Sequence, residues 1–222
     1  MYKWDRLKMI EEGGIIAVIR DIPETQLIDV ADSLIAGGVT ALEYTMSTRG
    51  ALQAIQSLAK RYGDTAIVGA GTVLDSESAL LAIQHGAEFI FSPTLRRTVV
   101  ETTLRHGKIS VPGVMTPTEM LTALEWGSDL VKVFPADDMG AGYLKNVKAP
   151  IPHLAIVPTG GIALNNIQKY LDHDPVAIGL GGSLLDKELI QNKDYARLTE
   201  LARTFVSQVQ ARKLAKKGET IN

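Results

Sequence analysis

The sequence predicts an α/β chain, a single (β/α)8 TIM barrel with an extra N-terminal helix. Three observations predict it: short apolar strand-like segments alternate with amphipathic helix-like ones, eight such strands can be counted, and no Gly/Ser-rich linker breaks the series. Alternation of this kind forces parallel pairing, and eight units can close into a barrel. At 222 residues the chain lies in the lower range for such a barrel, so one domain over residues 1–222 is expected. A doubly wound open sheet is the structural alternative, but its usual dinucleotide fingerprint after the first strand is absent.

After the short leading helix, Ile15 to Arg20 reads as the first strand. Glu24 to Ala36 is an amphipathic helix with Leu27, Ala31, Leu34 and Ile35 on one face, and Gly37-Gly38 ends it. Ala41 to Thr45 is the second strand, followed by a helix with Ala51, Ile55, Leu58 and Ala59 inward. Ala66 to Gly71 is the third strand, and Asp75 caps the next helix. Phe89 to Ser92, Ile109 to Val114, Leu130 to Pro135, Leu154 to Pro158 and Val176 to Gly179 supply the other five. Thr116-Pro117-Thr118-Glu119 opens a helix with a hydroxyl cap, a proline at the first position and a glutamate at the third. The last helix, Asp194 to Lys213, buries Leu198, Leu201, Ala202, Phe205 and Val209, and the polar tail Lys216 to Asn222 is expected to fray.

Composition narrows the function. A formal charge of -2 gives no electrostatic reason to expect nucleic acid or an anionic membrane as partner. The absence of cysteine excludes disulfides, thiolate metal sites and a cysteine nucleophile, and fits a cytoplasmic protein. Met1 to Arg6 is too polar for a signal peptide, and no apolar run reaches membrane-spanning length. The four histidines lack metal-ligand spacing: His85 and His106 each precede a glycine at a helix end, and His153 and His173 lie in loops entering strands.

In a barrel, chemistry sits where strands end, and that rule sorts the polar residues. Lys132 stands inside the apolar run Asp129 to Pro135, sharing a face with Leu130 and Phe134. At an ordinary pKa of ~10.4 only about one lysine in 2,500 is neutral at pH 7, and desolvation to ~7–8 would make a usable nucleophile. A strand-end lysine that reaches out to water is the plainer alternative. Glu43 is a carboxylate inside the second strand, on the face of Ala41 and Thr45; alone it reads first as a salt-bridged strand-end residue. Together, a lysine can form an imine while a glutamate shuttles the protons. Gly69 to Val73, Thr159 to Ile162 and Gly179 to Ser183 are glycine-rich, and the loops after strands seven and eight are where barrels often hold phosphate. Tight strand-to-helix turns would read the same way. Arg20 ends the first strand, suited to a carboxylate or phosphate or to a surface ion pair. Asp137 and Asp138 read as solvated capping residues, with contact to substrate hydroxyls as the alternative.

Leu42-Glu43, Gly69-Ala70-Gly71-Thr72-Val73, Ser92-Pro93, Lys132-Val133-Phe134-Pro135-Ala136, Pro158 to Ile162 and Gly181-Gly182-Ser183 together resemble the KDPG/KHG aldolase family, in order from about Gly14 to Leu185. The resemblance implies a (β/α)8 homotrimer, a class I lyase acting on 2-keto-3-deoxy-6-phosphogluconate or 2-keto-4-hydroxyglutarate without a metal or organic cofactor. It casts Lys132 as the Schiff-base lysine and Glu43 as the general acid/base. Thr72, Pro93, Phe134 and Thr159 match the pyruvyl pocket, and Gly160, Gly161, Gly182 and Ser183 the phosphate end. One departure stands out: many members carry, shortly after the second strand, an arginine that holds the substrate carboxylate, and here Ser47 occupies its place. Ser47 cannot form a bidentate cationic clamp, so Arg20 is expected to supply it. The related 2-dehydro-3-deoxy-6-phosphogalactonate aldolases also end their first strand in arginine, with a small polar residue at the Ser47 position. The competing readings are a phosphate-binding barrel isomerase and a non-catalytic sugar-phosphate binding barrel.

Overall fold

The protein is described as a computed structural model over residues 2–219. Strands β1 (Ile15–Ile19), β2 (Ala41–Thr45), β3 (Ile67–Gly71), β4 (Phe89–Phe91) and β5 (Ile109–Val111) alternate with helices α2 (Glu24–Ala36), α3 (Ala51–Tyr62), α4 (Ser76–Gln84) and α5 (Arg97–Arg105). Helix α1 (Lys3–Gly13) precedes them. Then come β6 (Gly113–Val114), α6 (Pro117–Glu125), β7 (Val131–Val133), α7 (Ala136–Met139), α8 (Gly142–Lys148), β8 (Ile156–Pro158) and α9 (Ile167–Leu171). Strand β9 (Ile178–Leu180), α10 (Lys187–Gln191) and α11 (Tyr195–Glu219) complete the series.

Every strand pair is parallel, as the alternation requires. Six strands curl into a half-barrel in the order β5-β4-β3-β2-β1-β9, and β6-β7-β8 form a second sheet. The expected fifth strand, Ile109 to Val114, is therefore two segments. Pro112 divides them because it has no N–H to give a ladder; its carbonyl instead accepts from Lys132 N at 2.8 Å. Between the sheets run Val176 N to Ile156 O, 2.9 Å, and the bridge Thr159–Gly179. Strand ends were overestimated elsewhere for a similar reason: β7 stops at Val133, before Phe134-Pro135.

The helix signals operate as their chemistry requires. Asp75 Oδ1 accepts from Ser78 N at 2.6 Å, and Thr116 and Glu119 form a reciprocal capping box. His85 and His106 close α4 and α5, each with Nδ1 within hydrogen-bond distance of the carbonyl four residues back. Two expectations are corrected. Ala59 and Leu201 are half-buried at the edges of their helices. The tail from Lys216 does not fray at once: α11 continues to Glu219, held by Lys216 on Asp174 at 2.7 Å, while Thr220 to Asn222 lie outside the described residues. Among the described residues no helix is long and apolar enough to cross a membrane.

Two apolar layers result. The larger lies between strands and helices; the smaller fills the space the curled strands enclose, with Ile16, Ala41, Ile67, Phe89, Phe91, Val111, Leu130 and Val157. Ile10 of α1 belongs to this inner layer, with Leu7 beside it, so α1 closes the end where the strands begin. Ion pairs Lys3–Asp129, 2.7 Å, and Arg6–Glu88 fasten it to the segments entering β7 and β4. Ile10 is fully buried. Ile10→Ala is expected to destabilise the protein by about 2–5 kcal/mol, read as a lower urea midpoint with unchanged slope.

Candidate active site

Alternation along each strand decides what reaches the enclosed space. Ala41 and Leu130 face inward at the closed end, which turns Glu43 and Lys132, two residues on, to the same interior nearer the open end. Both are buried, with Glu43 1% and Lys132 6% exposed. Burial drives the Lys132 ammonium down to about 8; the Glu43 charge opposes the shift and Arg20 adds to it. Burial likewise lifts the Glu43 carboxyl to about 7, against the pull of Lys132 and Arg20. Burial thus draws the two proton affinities toward each other from opposite sides.

Gly71 makes room for this carboxylate. A Cβ there would stand 1.4 Å from Glu43 Oε1, so the side chain lies in the volume a larger residue would fill. Oε1 itself is buried with no hydrogen-bond partner. The next residue, Thr72, takes φ 55°, a left-handed conformation rare for a β-branched side chain and costing about 1–3 kcal/mol. Its hydroxyl accepts from Arg20 Nη2 at 3.4 Å.

A cavity of about 760 Å³ opens above the pair. Arg20, Thr72, Pro93, Lys132, Phe134 and Thr159 line it, as do Gly160, Gly161, Gly182 and Ser183. Of the residues given a catalytic or binding role from the sequence, Glu43 alone is not on this wall; it sits in the interior within electrostatic reach of Lys132 and Arg20. Ser47 and Arg49 are exposed and do not line the cavity. The glycine-rich end is braced from behind. Asn166 Nδ2 donates to Gly161 O at 2.9 Å, and Ser183 Oγ donates to Ile162 O at 2.6 Å. Among the described residues the N–H groups of Gly161, Gly182 and Ser183 donate to no backbone carbonyl, which leaves them available to an anion. Gly161 has φ 71° and lies against Asp137, whose side chain a Cβ would meet at 2.2 Å. Asp137 and Asp138 are exposed in the first turn of α7. Among the described residues no group of three or more His, Cys, Asp or Glu is arranged to hold a metal ion.

This sequence matches the family described as "KDPG and KHG aldolase" over residues 7–201. The chain belongs to the KDPG and KHG aldolase family. A 2-dehydro-3-deoxy-phosphogluconate aldolase of Treponema pallidum is 35% identical over 87% of this chain and 92% of its own. A 2-dehydro-3-deoxy-6-phosphogalactonate aldolase of Escherichia coli is 32% identical over 77% of this chain and 83% of its own. The crystal structure of KDPG aldolase from Legionella pneumophila, with pyruvate captured as a covalent carbinolamine, superposes with a TM-score of 0.83 at 28% identity, covering 89% of this chain and 96% of that one.

Several residues of this family member escape a reading for charge and motif. Lys187 lines the cavity from α10 with Gln191, and Gln26 reaches it from α2, donating to Ile190 O at 3.1 Å. In the sequence Lys187 lies between Asp186 and Glu188 and looks like any solvated charge. Phe91 lies under Lys132, with the ring centroid 4.2 Å from Nζ, and an apolar residue in an apolar strand gives no signal.

The raised Glu43 pKa has a signed consequence. The folded state binds this proton more tightly than the unfolded chain, so the Glu43 contribution to stability is largest at low pH and is lost as pH rises from 4.5 to about 7. Compared with Glu43→Gln, the unaltered protein is expected to lose on the order of 2–3 kcal/mol across that window, measured by urea unfolding at a series of pH values.

Proposed function

We propose that this protein is a class I aldolase that cleaves 2-keto-3-deoxy-6-phosphogluconate, or a closely related 2-keto-3-deoxy sugar acid phosphate, to pyruvate and glyceraldehyde 3-phosphate. The observation that carries the reading is the desolvated Lys132 at the floor of a cavity, with Glu43 beside it and free backbone N–H groups at the other end. In this reading the unprotonated Lys132 Nζ attacks the C2 ketone to give a carbinolamine, the species named for the Legionella pneumophila relative. Loss of water leaves an iminium. Glu43, through a water, takes the C4 hydroxyl proton; the C3–C4 electron pair flows into the iminium, and the aldehyde leaves. Protonation of the enamine at C3 and hydrolysis return pyruvate and the free lysine. No metal or organic cofactor takes part.

Arg20 holds the substrate carboxylate in place of the family arginine that Ser47 replaces, with Thr72, Pro93, Phe134 and Thr159 shaping the pyruvyl pocket. Gly160, Gly161, Gly182 and Ser183 take the phosphate. The two sheets close into one eight-stranded (β/α)8 barrel, with β5 and β6 acting as one strand through Pro112 and β8 meeting β9 at Thr159–Gly179. Family resemblance extends the reading to a single-domain homotrimer of the cytoplasm, serving the Entner–Doudoroff route. Arg20 on the cavity wall, with Ser47 not on it, also favours a second reading, the C4 epimer 2-keto-3-deoxy-6-phosphogalactonate as substrate. Comparing kcat/KM on the two epimers decides between them.

Intact-mass measurement after pyruvate and borohydride tests the chemistry. A reduced pyruvyl adduct is expected on the unaltered protein and none on folded Lys132→Ala; an unaltered protein without adduct would turn the assignment to an isomerase or a binding barrel. Arg20→Ala is expected to raise KM for the sugar acid about 10–100-fold, the value of a lost charge-assisted contact, and an unchanged KM would remove Arg20 from the site.

A further inference from the structure

The nitrogen of Lys132 lies between two aromatic rings, with Nζ 4.2 Å from the Phe91 centroid and 4.7 Å from that of Phe134. The rings differ in setting. Phe134 stands at the cavity mouth, 38% exposed, whereas Phe91 is fully buried. Phe91 ends β4 on the inner face, where Phe89 meets it edge-on, with centroids 6.5 Å apart and planes at 82°. Phe89 in turn occupies the space left by Gly69, where a Cβ would come within 2.4 Å of its ring. A chain of contacts from Gly69 through Phe89 thus fixes the Phe91 ring against the reacting nitrogen.

That placement answers a conflict in the chemistry. Attack requires an uncharged amine, and burial supplies it by penalising charge at this nitrogen. The iminium that follows must carry a positive charge at the same atom in the same dry surroundings. A second carboxylate would stabilise the iminium but would also hold the ammonium. An aromatic face stabilises a cation through its quadrupole, more weakly than a full negative charge.

We propose that Phe91 is a further catalytic residue, whose ring stabilises the positive charge on the Lys132 nitrogen in the iminium; the inference rests on the aldolase reading. The balance of the reaction gives it a distinctive signature. At low pH, R–NH3⁺ and the ketone become R–NH⁺=C and water, with one cation on each side, so the ring's contribution cancels. At high pH, R–NH2, a proton and the ketone become the same iminium and water, and the contribution appears in full. The Glu43 carboxyl and the Arg20 guanidinium face the same nitrogen. They are present alike in the unaltered and Phe91-altered proteins, so comparison of the two removes their own pH effects.

The experiment is a pyruvate titration, read as borohydride-trapped adduct by intact mass, at about pH 6 and about pH 9.5, on either side of the Lys132 transition. It uses the unaltered protein, Phe91→Leu, and a protein carrying a ring-trifluorinated phenylalanine at position 91, which keeps the shape of the side chain while weakening its quadrupole. At the higher pH both altered proteins are expected to need about tenfold more pyruvate for half-maximal adduct, and at the lower pH less than about twofold more. Equal weakening at both pH values would make Phe91 a packing residue and overturn the proposal, as would no weakening at either. If Phe91→Leu fails to fold, the fluorinated protein decides alone. An unaltered protein that forms no adduct would instead overturn the aldolase reading, and this inference with it.

Discussion

Everything in the interior follows from withdrawing an ammonium and a carboxylate from water in the same small chamber. Neither group could be placed there singly without a large penalty, and the pair has to be kept close enough to share charge. The outcome is two groups whose proton affinities are drawn toward each other, burial pushing Lys132 down and Glu43 up. An exposed lysine and glutamate would hold their protons about six units apart.

The surrounding sequence is shaped to make that chamber possible. Gly71 supplies volume for the carboxylate, Gly69 for the ring of Phe89, and Gly179 for Thr159, whose Oγ1 would lie 2.2 Å from a Cβ at position 179. These glycines are small because a neighbouring strand's side chain needs the space. Thr72 carries the opposite sort of constraint: a β-branched residue held at φ 55°, one residue past the strand, with its hydroxyl accepting from Arg20. Strain of this sort persists where neighbouring contacts over-determine the backbone.

How much of this could be read beforehand depended on the type of signal. Leu130 with Lys132, and Ala41 with Glu43, were legible because strand periodicity assigns faces without any knowledge of the partner strand. The caps at Asp75 and Thr116 were legible because the chemistry is local. Pro112 was not: whether a proline ends a strand or merely interrupts it depends on what lies across the sheet. The reach of α11 past Lys216 was missed because the polar tail suggests fraying, whereas its anchor, Asp174, is remote in the chain. Phe91 and Lys187 were invisible for opposite reasons, one an apolar residue among apolar residues and the other a charge among charges. Only their position about the cavity distinguishes them.

Helix α1 has a consequence beyond stability. With Ile10 in the inner layer and ion pairs fastening its first turns, the end of the strands opposite the cavity is stoppered. Substrate, both products and the hydrolytic water therefore use one doorway. In the aldolase reading the three-carbon acid is tethered at the floor while the aldehyde lies between it and the entrance. The aldehyde, which is not covalently held, leaves first, and the tethered acid follows after hydrolysis. The stopper thus imposes an order of exit: aldehyde first, acid second.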